Sequence, residues 1–590
     1  MNPLFICFLL TCSTPAPVTV SVTSSLPSPA PLGTLVTWTA SATAFNPGTL
    51  AFRFRIRHFG ADFKTVVDFG PKTSLDWTTI DREGQYEIEV TAMNTATSET
   101  ATASSVFHFT PLATGQAPVV TASVHPMVAI FSAPPCAAGG RMRVQYSTAT
   151  GGAMQTTPFK ACRPAASMNF YLAGMYQSTA YTAQSILDTG SSFVTGDPIP
   201  FKTGVVGLLP PTVTAITKSA PPTTDGVLVQ SLFIGNSIAT DLSGNLIWYS
   251  PGDISFLTRA APGGFFLGIG ENGMKDPSQQ FVREFDVAGI TQAETNAVRI
   301  NQQLAVLGIH PINGFHHEAR KLPDGQYLVL ANSERILTDV QGPGPVDVIG
   351  DTILVLDANL QVTWAWDSFD HLDTHRAAVL GEICTVAPSL ACPPFYQNKQ
   401  ANDWLHGNAL QLTPDGSILY SARHQDWVIK IDYHNGAGNG DVLWRLGKQG
   451  DFQMKSTDPS PWFSHQHDPN FEANGTVLLV FDDGNDRYAA DPTAQSRGQA
   501  LNIDETNRTA SLLLNANLGS YSQAVGSAQR LPNGDYHFDS GFIFVVDSTG
   551  KASTLAQSVE VDKTGKIVYA IQFAAPEYRT IRMRDLYTAP

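Results

Sequence analysis

Charged residues are scarce in this chain of 590 residues, at 15% of the total, and the basic ones are fewest: 36 Lys and Arg stand against 51 Asp and Glu, giving a formal net charge of −15. The sequence has no basic tract, which argues against nucleic-acid binding and against an anionic membrane surface. Hydrophobic residues make up 43%, so the composition excludes a disordered chain, a collagen and a coiled coil. The length predicts about three to five folded units, or one large repeat array with accessory domains.

Long apolar runs are also missing, since no stretch reaches the ~18 residues that a membrane-spanning helix needs. A short apolar run at residues 4–10 leads into Leu9-Leu10-Thr11-Cys12, which is similar to the cleavage box of a bacterial lipoprotein. The box is imperfect, because no Lys or Arg precedes the run and Thr11 stands where Gly, Ala or Ser is usual. We expect residues 1–12 to be an export segment and the protein to be periplasmic or a cell-surface lipoprotein. Any membrane attachment is then through a lipid on Cys12.

Cysteine is rare, with six residues in the whole chain. After Cys7 and Cys12, the remaining four form two sequence pairs, Cys136 with Cys162 and Cys384 with Cys392. In an oxidising compartment these pairs predict two disulfides, and four unpaired thiols are the alternative. No C-x-x-C spacing is present, so a zinc-thiolate site is not expected.

The N-terminal third is divided by composition. Residues 13–33 are rich in Ser, Thr and Pro and predict an extended tether. In residues 34–111 apolar residues alternate with period two, as at Phe52, Phe54 and Ile56, which is typical of a small β-sandwich. Residues 117–204 repeat this pattern and predict a second sandwich of the immunoglobulin or fibronectin type.

Residues 205–590 contain an internal repeat. One half is a strand, an acidic residue, a turn and an aromatic strand, as in residues 240–248, and six copies can be found. The other half is a hairpin around a Pro-Asp-Gly-like turn, as in residues 322–325. Two hairpins make a four-stranded sheet, and six sheets around an axis make a six-bladed β-propeller. The predicted fold class is therefore all-β, with a six-bladed β-propeller preceded by one or two sandwiches.

Histidine is concentrated in this repeat region, where ten of the fourteen lie between His310 and His467. Counting eight residues back from the turn glycines 325, 416, 475 and 534 gives one position per repeat: His317, Asn408, His467 and Gly526. This position starts the innermost strand of each sheet. Inner strands line the central channel of a propeller, so we expect these side chains to meet at the axis.

Neighbours can be added by the period-two rule. His406 lies two residues before Asn408, and His465 two before His467, so each pair should share a face, whereas His316 should point away from His317. Seven residues after Gly416, Arg423 should return beside His406 and Asn408, with an ion pair to a carboxylate such as Asp426 as the alternative. Histidines, an arginine and an asparagine at one channel mouth can bind a tetrahedral oxyanion and perform nucleophilic or acid–base chemistry.

A metal site is the competing interpretation of the same histidines. His465, His467, His316 and His317 could offer imidazoles to zinc or copper. Converging carboxylate ligands are not evident in the sequence, however, and Arg423 would repel a cation. We therefore predict no metal. The sequence also has no phosphate-binding loop, dinucleotide fingerprint or Gly-x-Ser-x-Gly elbow, so no nucleotide cofactor is expected.

Several motifs in the repeat region resemble those of the bacterial arylsulfate sulfotransferases, which transfer sulfuryl groups without the nucleotide donor PAPS. They are Phe315-His316-His317-Glu318, His406-Gly407-Asn408-Ala409-Leu410, Ser421-Ala422-Arg423-His424-Gln425 and Gln466-His467. The resemblance covers about residues 205–590. The second sandwich, the position of the Cys384/Cys392 loop and the presence of His465 depart from the family pattern.

The resemblance implies a periplasmic six-bladed propeller with an N-terminal sandwich and no cofactor. It implies a ping-pong reaction in which His467 is the nucleophile that becomes sulfated, with an aryl sulfate as donor and a phenol as acceptor. His317, His406, Asn408 and Arg423 would surround the sulfuryl group, with His317, His406 and Arg423 as further catalytic residues. From their positions in the repeat we also predict that Asn408, His465 and His316 bind substrate. Three alternatives remain open: an aryl sulfatase that uses water as acceptor, a metal-dependent propeller hydrolase or oxidase, and a non-catalytic propeller that binds surface glycans or proteins, with a homodimer as one possible assembly.

Overall fold

Antiparallel sheets are the main regular structure of the computed structural model, which describes residues 18–218, 226–271, 279–385, 397–472 and 474–589. The predicted all-β class is confirmed. Three α-helices occur in the described residues, at Ala297–Leu307, Ser368–His371 and Asn485–Ala490. None of these helices has both the length and the apolar character that crossing a bilayer would need. Cys7, Cys12 and the predicted export segment lie outside the described residues.

The first unit is built from two sheets that share one hydrophobic core. One sheet contains Thr19–Ser24, Val36–Thr43 and Ser74–Trp77, and the other contains Ala30–Pro31, Leu50–His58, Lys64–Gly70, Gly84–Asn94 and Thr100–Thr110. Trp38 and Phe107 meet edge to face in this core at 5.5 Å between ring centroids. The buried faces of the strands follow the period-two pattern of the sequence.

The predicted tether at residues 13–33 is wrong from Val18 onward. Thr19–Ser24 pairs along its whole length with Val36–Thr43, and Ala30–Pro31 pairs with Thr100–Thr110. Val18 is buried, and Val20 and Val22 pack against the core of the first unit. The Ser and Thr content concealed this apolar alternation, which is the pattern of a half-buried edge strand.

The second unit also has two sheets around one core. Its strands are Val119–Ala122, Ala129–Ala133 and Met168–Leu172 in one sheet, and Arg141–Thr148, Gln155–Thr156, Lys160–Ala161, Ala180–Asp188, Phe193–Thr195 and Ile199–Lys202 in the other. Cys136 and Cys162 form a disulfide in this unit. Cys392, the predicted partner of Cys384, lies outside the described residues.

Six antiparallel sheets, numbered here sheet 1 to sheet 6, follow in the described part of the chain. Their strands, from the innermost outward, are Glu577–Met583, Val227–Leu232, Ile238–Asp241 and Leu246–Tyr249 in sheet 1; Phe256–Ala261, Phe265–Glu271, Gln280–Asp286 and Thr291–Asn296 in sheet 2; and Gly314–Lys321, Tyr327–Thr338, Pro345–Leu356 and Val362–Asp367 in sheet 3. Sheet 4 has Gly407–Leu412, Ile418–Ala422, Trp427–Ile431 and Val442–Gly447; sheet 5 has His467–Phe471, Val477–Asp482, Arg497–Asp504 and Thr509–Asn517; and sheet 6 has Gly526–Arg530, Tyr536–Val546, Ala552–Val561, Ile567–Phe573 and Val213–Lys218. Ile383–Thr385 and Gln400–Asp403 extend sheet 3, and Gln453–Lys455 extends sheet 5.

The innermost strands of the six sheets contact one another in a closed cycle, each touching the next and sheet 6 touching sheet 1. Both ends of this region take part in the closure. Val213–Lys218 adds an outer strand to sheet 6, and Glu577–Met583 supplies the innermost strand of sheet 1. The first and last sheets are therefore interlocked, because each contains a strand from the opposite end of the region.

The two N-terminal units are fixed to the ring of six sheets. Lys64–Gly70 of the first unit pairs with Thr291–Asn296 of sheet 2, next to an ion pair between Arg299 and Asp68 at 3.1 Å. The second unit is held by Tyr587, whose hydroxyl lies 3.1 Å from that of Tyr146. The helix Ala297–Leu307 packs its Ala297, Ile300 and Leu304 into the core between sheets 2 and 3. Its i, i+3, i+7 spacing was present in the sequence but was not recognised.

Candidate active site

The innermost strands of sheets 2 to 5 are all irregular at the same level. Their pairing shifts between Leu257 and Arg259, between Phe315 and Ala319, between Gly407 and Leu410, and between His467 and Asn470. His317, His406 and His465 have left-handed backbones, with φ of 55°, 48° and 52°. Bulges break the period-two alternation and re-aim side chains. These irregularities explain how several consecutive residues reach the axis.

The structure brings the predicted histidines together there. The rings of His317 and His406 are 4.9 Å apart, those of His406 and His424 are 4.6 Å apart, and those of His424 and His465 are 5.6 Å apart. His467 is 1% exposed and lies close enough to His406 and His317 to influence their charges. His424 belongs to the same cluster, although the sequence analysis named it only as part of a motif and not as a site residue.

Three imidazoles in this cluster are held through their Nδ1 atoms. His467 Nδ1 is 2.7 Å from Asp483 Oδ2, and His406 Nδ1 is 2.7 Å from Asp403 Oδ2. Because a carboxylate accepts a proton from Nδ1, we assign the neutral Nδ1–H tautomer to both, which leaves each Nε2 with a lone pair.

His317 is held in a similar way through a second histidine. Its Nδ1 is 2.8 Å from Nδ1 of His316, and Nε2 of His316 is 3.0 Å from Asp351 Oδ1. With Nε2 of His316 protonated toward Asp351, His317 Nδ1 donates to His316 and keeps its own Nε2 free. The prediction that His316 points away from His317 is therefore wrong, because the bulge and the left-handed backbone at His317 place the two rings in contact.

Burial sets the charge of these groups. Burial, with Arg423 as a further cause, holds the pKa of His467 well below the ordinary histidine value. Burial and the neighbouring His406 likewise lower the pKa of His317. Burial raises the pKa of Asp483 as well. His467 and His317 are therefore neutral imidazoles at neutral pH.

Arg423 lies in a 3-10 turn, Arg423–Gln425, directly after the second strand of sheet 4. Its Nη1 is 2.7 Å from His424 Nε2, and its Nη2 donates to the carbonyl oxygen of Gln523 at 3.0 Å. Its Nε is buried and has no hydrogen-bond partner among the described residues. The guanidinium thus binds His424, and no ion pair between Arg423 and Asp426 occurs in the described part of the chain. Because Ala422 pairs with Gly407, the backbone of Arg423 lies at the level of His406 in the adjacent strand. Nε remains a free donor.

His465 has a different environment from His467. It is fully buried between Glu382, which contacts its Nε2, and Asp426, whose Oδ1 is 3.0 Å from its Nδ1. Burial disfavours the charged imidazole, but the hydrogen bonds to Asp426 and Glu382 outweigh it and raise the pKa of His465. His465 is therefore a paired imidazolium rather than a same-face partner of His467.

Three groups in this region have the spacing of metal ligands: Glu382 with His424 and His465, Asp403 with His406 and His424, and Asp426 with His465 and Asp486. The first two include His424, whose Nε2 accepts a hydrogen bond from Arg423 and whose Nδ1 is 2.7 Å from the carbonyl oxygen of Asp403. A cation at either of these two would lie next to the guanidinium, and electrostatic repulsion disfavours both positions. In the third group, His465 already binds Glu382 through Nε2 and lies 3.0 Å from Asp426 through Nδ1.

Asn408 is fully buried and joins the innermost strands of sheets 4 and 5, because its Nδ2 donates to the carbonyl oxygen of Gln466 at 2.7 Å. Its own carbonyl oxygen accepts from Tyr578 and from Arg579, both at 3.2 Å. Tyr578 also donates to the carbonyl oxygen of His317 at 2.9 Å. This tyrosine and arginine therefore fix the backbone at two of the axial positions.

An ionic network adjoins the imidazoles. Glu318 accepts from Arg259 at 2.6 Å and pairs with Arg579 at 3.1 Å, and Asp468 contacts Arg259 and lies 3.7 Å from Arg579. Arg579 lies close enough to His317 and His467 to lower the pKa of both, so Glu318 and Asp468 border the site through this arginine.

Aromatic rings lead from His317 toward solvent. Phe256 stacks near His317 at 6.4 Å between ring centroids and meets Tyr578 edge to face at 5.4 Å. Phe233 is 6.0 Å from Phe256 and 6.3 Å from Phe542. Phe233 is 39% exposed, so this aromatic wall, Tyr578, Phe256, Phe233 and Phe542, reaches the surface.

Several residues of the site were not predicted from the sequence, and a sequence pattern points to only one of them, Phe256. Phe256 lies eight residues before Gly264 and so occupies the register of His317, Asn408 and His467. Asp483, Asp403 and Tyr578 had no such signal, because their roles depend on partners brought by other strands.

These site residues lie in a region that matches a family model. The model for arylsulfotransferase (ASST) matches residues 212–579, more than half of the chain. The chain belongs to the arylsulfotransferase (ASST) family. The family implies sulfotransferase chemistry with aryl sulfates and phenols, and every residue of the axial cluster lies within the matched range. No curated protein matches the chain.

Among solved structures, the chain is similar to a segment of two fibronectin type-III domains from chicken tenascin, at 16% identity and a TM-score of 0.14, covering 31% of this chain and 98% of that one. It is also similar to Escherichia coli alpha-2-macroglobulin activated by porcine elastase, at 11% identity and a TM-score of 0.12, covering 96% of this chain and 51% of that one. The chain thus spans about half the length of the second protein.

Proposed function

We propose that the six-sheet ring is a six-bladed β-propeller and that this ASST-family protein is a PAPS-independent aryl sulfotransferase with a sulfohistidine intermediate at His467. The observation that carries the proposal is the shared support of His467, His406 and His317 through Nδ1. It leaves three Nε2 atoms for chemistry around one small volume. The cyclic contacts of the innermost strands support the propeller assignment.

In the first half-reaction, Nε2 of His467 attacks the sulfur of an aryl sulfate. The N–S bond forms while the bond from sulfur to the aryl oxygen breaks, and the aryloxide leaves with that electron pair. The attack makes the His467 ring cationic, and Asp483, 2.7 Å from Nδ1, stabilises it by accepting the Nδ1 proton or the hydrogen bond. The aryloxide leaves as the anion and takes its proton from solvent, because Nε2 of His317 and of His406 carries no proton in the tautomers assigned above.

In the second half-reaction, a phenol takes the place of the first product. Nε2 of His317 or His406 removes the phenol proton, and the phenol oxygen attacks sulfur while the N–S bond breaks. His467 is restored as the neutral Nδ1–H tautomer. The lowered pKa of His317 suits this role, because its Nε2 is available as a proton acceptor at neutral pH.

Charge on the sulfuryl oxygens is stabilised by donors that face the site. The Arg423 Nε is buried and has no hydrogen-bond partner in the described part of the chain, so it is available to bind them. Arg579 adds positive potential, since it too acts to lower the pKa of His467. A protein with a net charge of −15 therefore has cationic groups at its axis.

The experiment is a transfer assay with 4-nitrophenyl sulfate as donor and phenol as acceptor, in buffer free of nucleotides. We expect 4-nitrophenol release to depend on the acceptor and phenyl sulfate to appear in equal amount. Release of inorganic sulfate in place of phenyl sulfate would make the protein an aryl sulfatase. Absence of any turnover over a panel of aryl sulfates would contradict the proposal.

The aromatic wall predicts which substrates bind best. Replacing both Phe233 and Phe542 with Ala should raise KM about thirtyfold for a two-ring aryl sulfate such as a naphthyl sulfate, because each lost aromatic contact costs about 1 kcal/mol. The smaller 4-nitrophenyl sulfate should be affected less, and kcat should stay similar. The control is Phe544→Ala, at an exposed residue two positions further along the same strand. Equal KM changes for the two donors would count against this wall as the aryl site.

The protonation state of His467 predicts how kcat/KM for the donor changes at low pH. The reactive imidazole is neutral above its pKa, and that pKa is lowered, so kcat/KM for the donor should fall only below the ordinary histidine value of about 6.5. Arg423→Gln removes a cation that lowers this pKa, so it should reduce kcat/KM and move the fall to higher pH. Arg584→Gln, at an exposed arginine, is the control. A wild-type midpoint at or above pH 6.5 would contradict the assignment of a lowered pKa.

We also propose that the protein acts outside the cytoplasm, in the periplasm or at the cell surface. The disulfide between Cys136 and Cys162 supports this location, because disulfides persist in oxidising compartments. Expression of the full chain with a Cys12→Ser variant, followed by cell fractionation, tests the lipid anchor. The proposal requires the variant to lose membrane attachment while remaining exported.

A further inference from the structure

A second polar cluster lies away from the imidazoles, at the contact between sheet 6 and sheet 1. It contains the carboxyls of Asp539 and Glu577, the amide of Gln230 and the hydroxyls of Ser558 and Thr580. The first four residues are 0% exposed and Thr580 is 1% exposed. This group will be called the seam cluster, and nothing in the proposed reaction uses it.

The pairing of the strands places these side chains on facing surfaces. Asp539 and Ser558 are cross-strand partners in sheet 6, and Gln230 and Thr580 are cross-strand partners in sheet 1. The carboxyls of Asp539 and Glu577 face each other, with Thr580 beside both and Gln230 beside Glu577. The seam cluster therefore presents oxygen atoms from both sheets to one buried volume.

The polar atoms of the seam cluster approach one another but lack well-formed hydrogen bonds within the described residues. None of its side-chain oxygens has a hydrogen-bond partner of normal geometry among the described residues, and neither does the Gln230 amide nitrogen. In the same part of the chain, neither Asp539 nor Glu577 forms an ion pair. A buried carboxylate without a partner is costly, so folded proteins rarely leave one unpaired. Two facing each other require a further positive charge or protons.

We propose that the seam cluster binds one Ca²⁺ ion that clasps the last sheet of the ring to the first. Two carboxylates, one amide oxygen and two hydroxyls form an all-oxygen donor set, and Ca²⁺ takes about six to eight oxygen ligands with flexible geometry. The absence of imidazole and thiol donors in the cluster disfavours zinc and copper. The carboxylates of Asp539 and Glu577 balance the two positive charges of the ion. The uncharged side chains of Gln230, Ser558 and Thr580 provide further oxygen ligands.

The position of the seam cluster gives the ion a structural role. Sheets 6 and 1 are the place where the two ends of the ring region meet, and Glu577 begins the strand that completes sheet 1. The next residue, Tyr578, donates to the carbonyl oxygens of His317 and Asn408. An ion held by Glu577 would therefore stabilise ring closure and fix the tyrosine that supports the axial site.

The test uses the full chain, depleted of metal with EGTA and then titrated with Ca²⁺ or Mg²⁺. We expect about one Ca²⁺ per chain by elemental analysis before depletion, and a rise in Tm of at least about 3 °C on adding Ca²⁺, because an ion bound only to the folded state stabilises it. Mg²⁺ should give a smaller rise, since it requires a stricter octahedral geometry.

Variants separate a calcium site from a pair of protonated carboxyls. Asp539→Asn and Glu577→Gln should abolish the Ca²⁺-dependent rise, while Asp62→Asn, at an exposed carboxylate of the first unit, should keep it. If either carboxyl variant fails to fold, Ser558→Ala removes a single neutral oxygen and should weaken Ca²⁺ binding about tenfold. Absence of bound Ca²⁺ together with no change of Tm would overturn the proposal and leave a proton-sharing carboxyl pair.

Discussion

Replacing His467 with Ala is expected to reduce sulfuryl transfer by about 10⁴-fold or more, because the variant lacks the nitrogen that forms the covalent intermediate. His467 is 1% exposed and its Nδ1 is committed to Asp483, so Nε2 is its reactive atom. The measurement is kcat for 4-nitrophenol release at saturating phenol, with burst kinetics in its absence. Neither a burst nor a steady rate above background should remain.

His375→Ala provides the matched control for this variant. His375 has a 73% exposed side chain and pairs with Asp373 at the surface, so its removal should leave kcat within about twofold. Thermal unfolding of both variants separates loss of chemistry from loss of fold. A His467→Ala protein that is folded and still transfers sulfuryl groups at more than a hundredth of the wild-type rate would exclude His467 as the nucleophile.

Replacing Asp483 with Asn is expected to lower kcat by about 10³-fold with little change in KM. An asparagine can donate to Nδ1 of His467, which would place the ring proton on Nε2 and remove the reactive lone pair. It also removes the charge that stabilises the ring once it becomes cationic. The side-chain volume is nearly unchanged, so the expected loss is one of chemistry.

Asp482→Asn is the control, since the neighbouring carboxylate is equally buried and points elsewhere. Asp482 accepts from the backbone N–H of Ser464 at 2.9 Å and from Arg487 at 2.6 Å. Its loss should lower Tm and leave kcat nearly unchanged. If Asp483→Asn retained kcat within about threefold of wild type, the tautomer assigned to His467 would be wrong.

Much of the fold could be predicted from the sequence because strand patterns and turns are local. The acidic residue before each turn ends the third strand of its sheet, as Asp241 and Asp286 do, or directly follows it, as Asp357 does, and the six copies of this pattern predicted six sheets. The strand Thr19–Ser24 was missed because Ser and Thr between the valines look like a linker. The closing strand Glu577–Met583 was not assigned to sheet 1, because its pairing with Val227–Leu232 spans the whole ring region.

The candidate site was predictable only where one register repeats. His317, Asn408 and His467 were found by counting from turn glycines, and the structure places all three at the axis. Counting from the turn glycines does not predict the direction in which each side chain points. Bulges at this level break the period-two alternation, as at His316 and His317. The supporting acids Asp403 and Asp483 and the paired state of His465 depend on contacts between different sheets, which no local pattern encodes.

The most direct test of the sulfohistidine proposal is mass spectrometry of the protein after brief mixing with 4-nitrophenyl sulfate in the absence of phenol, under mildly alkaline conditions that preserve N–S bonds. The account predicts one added sulfuryl group on the peptide that contains His467, lost again when phenol is added. A sulfuryl group on another residue, or rapid transfer to phenol without any adduct on the enzyme, would contradict a ping-pong reaction through His467.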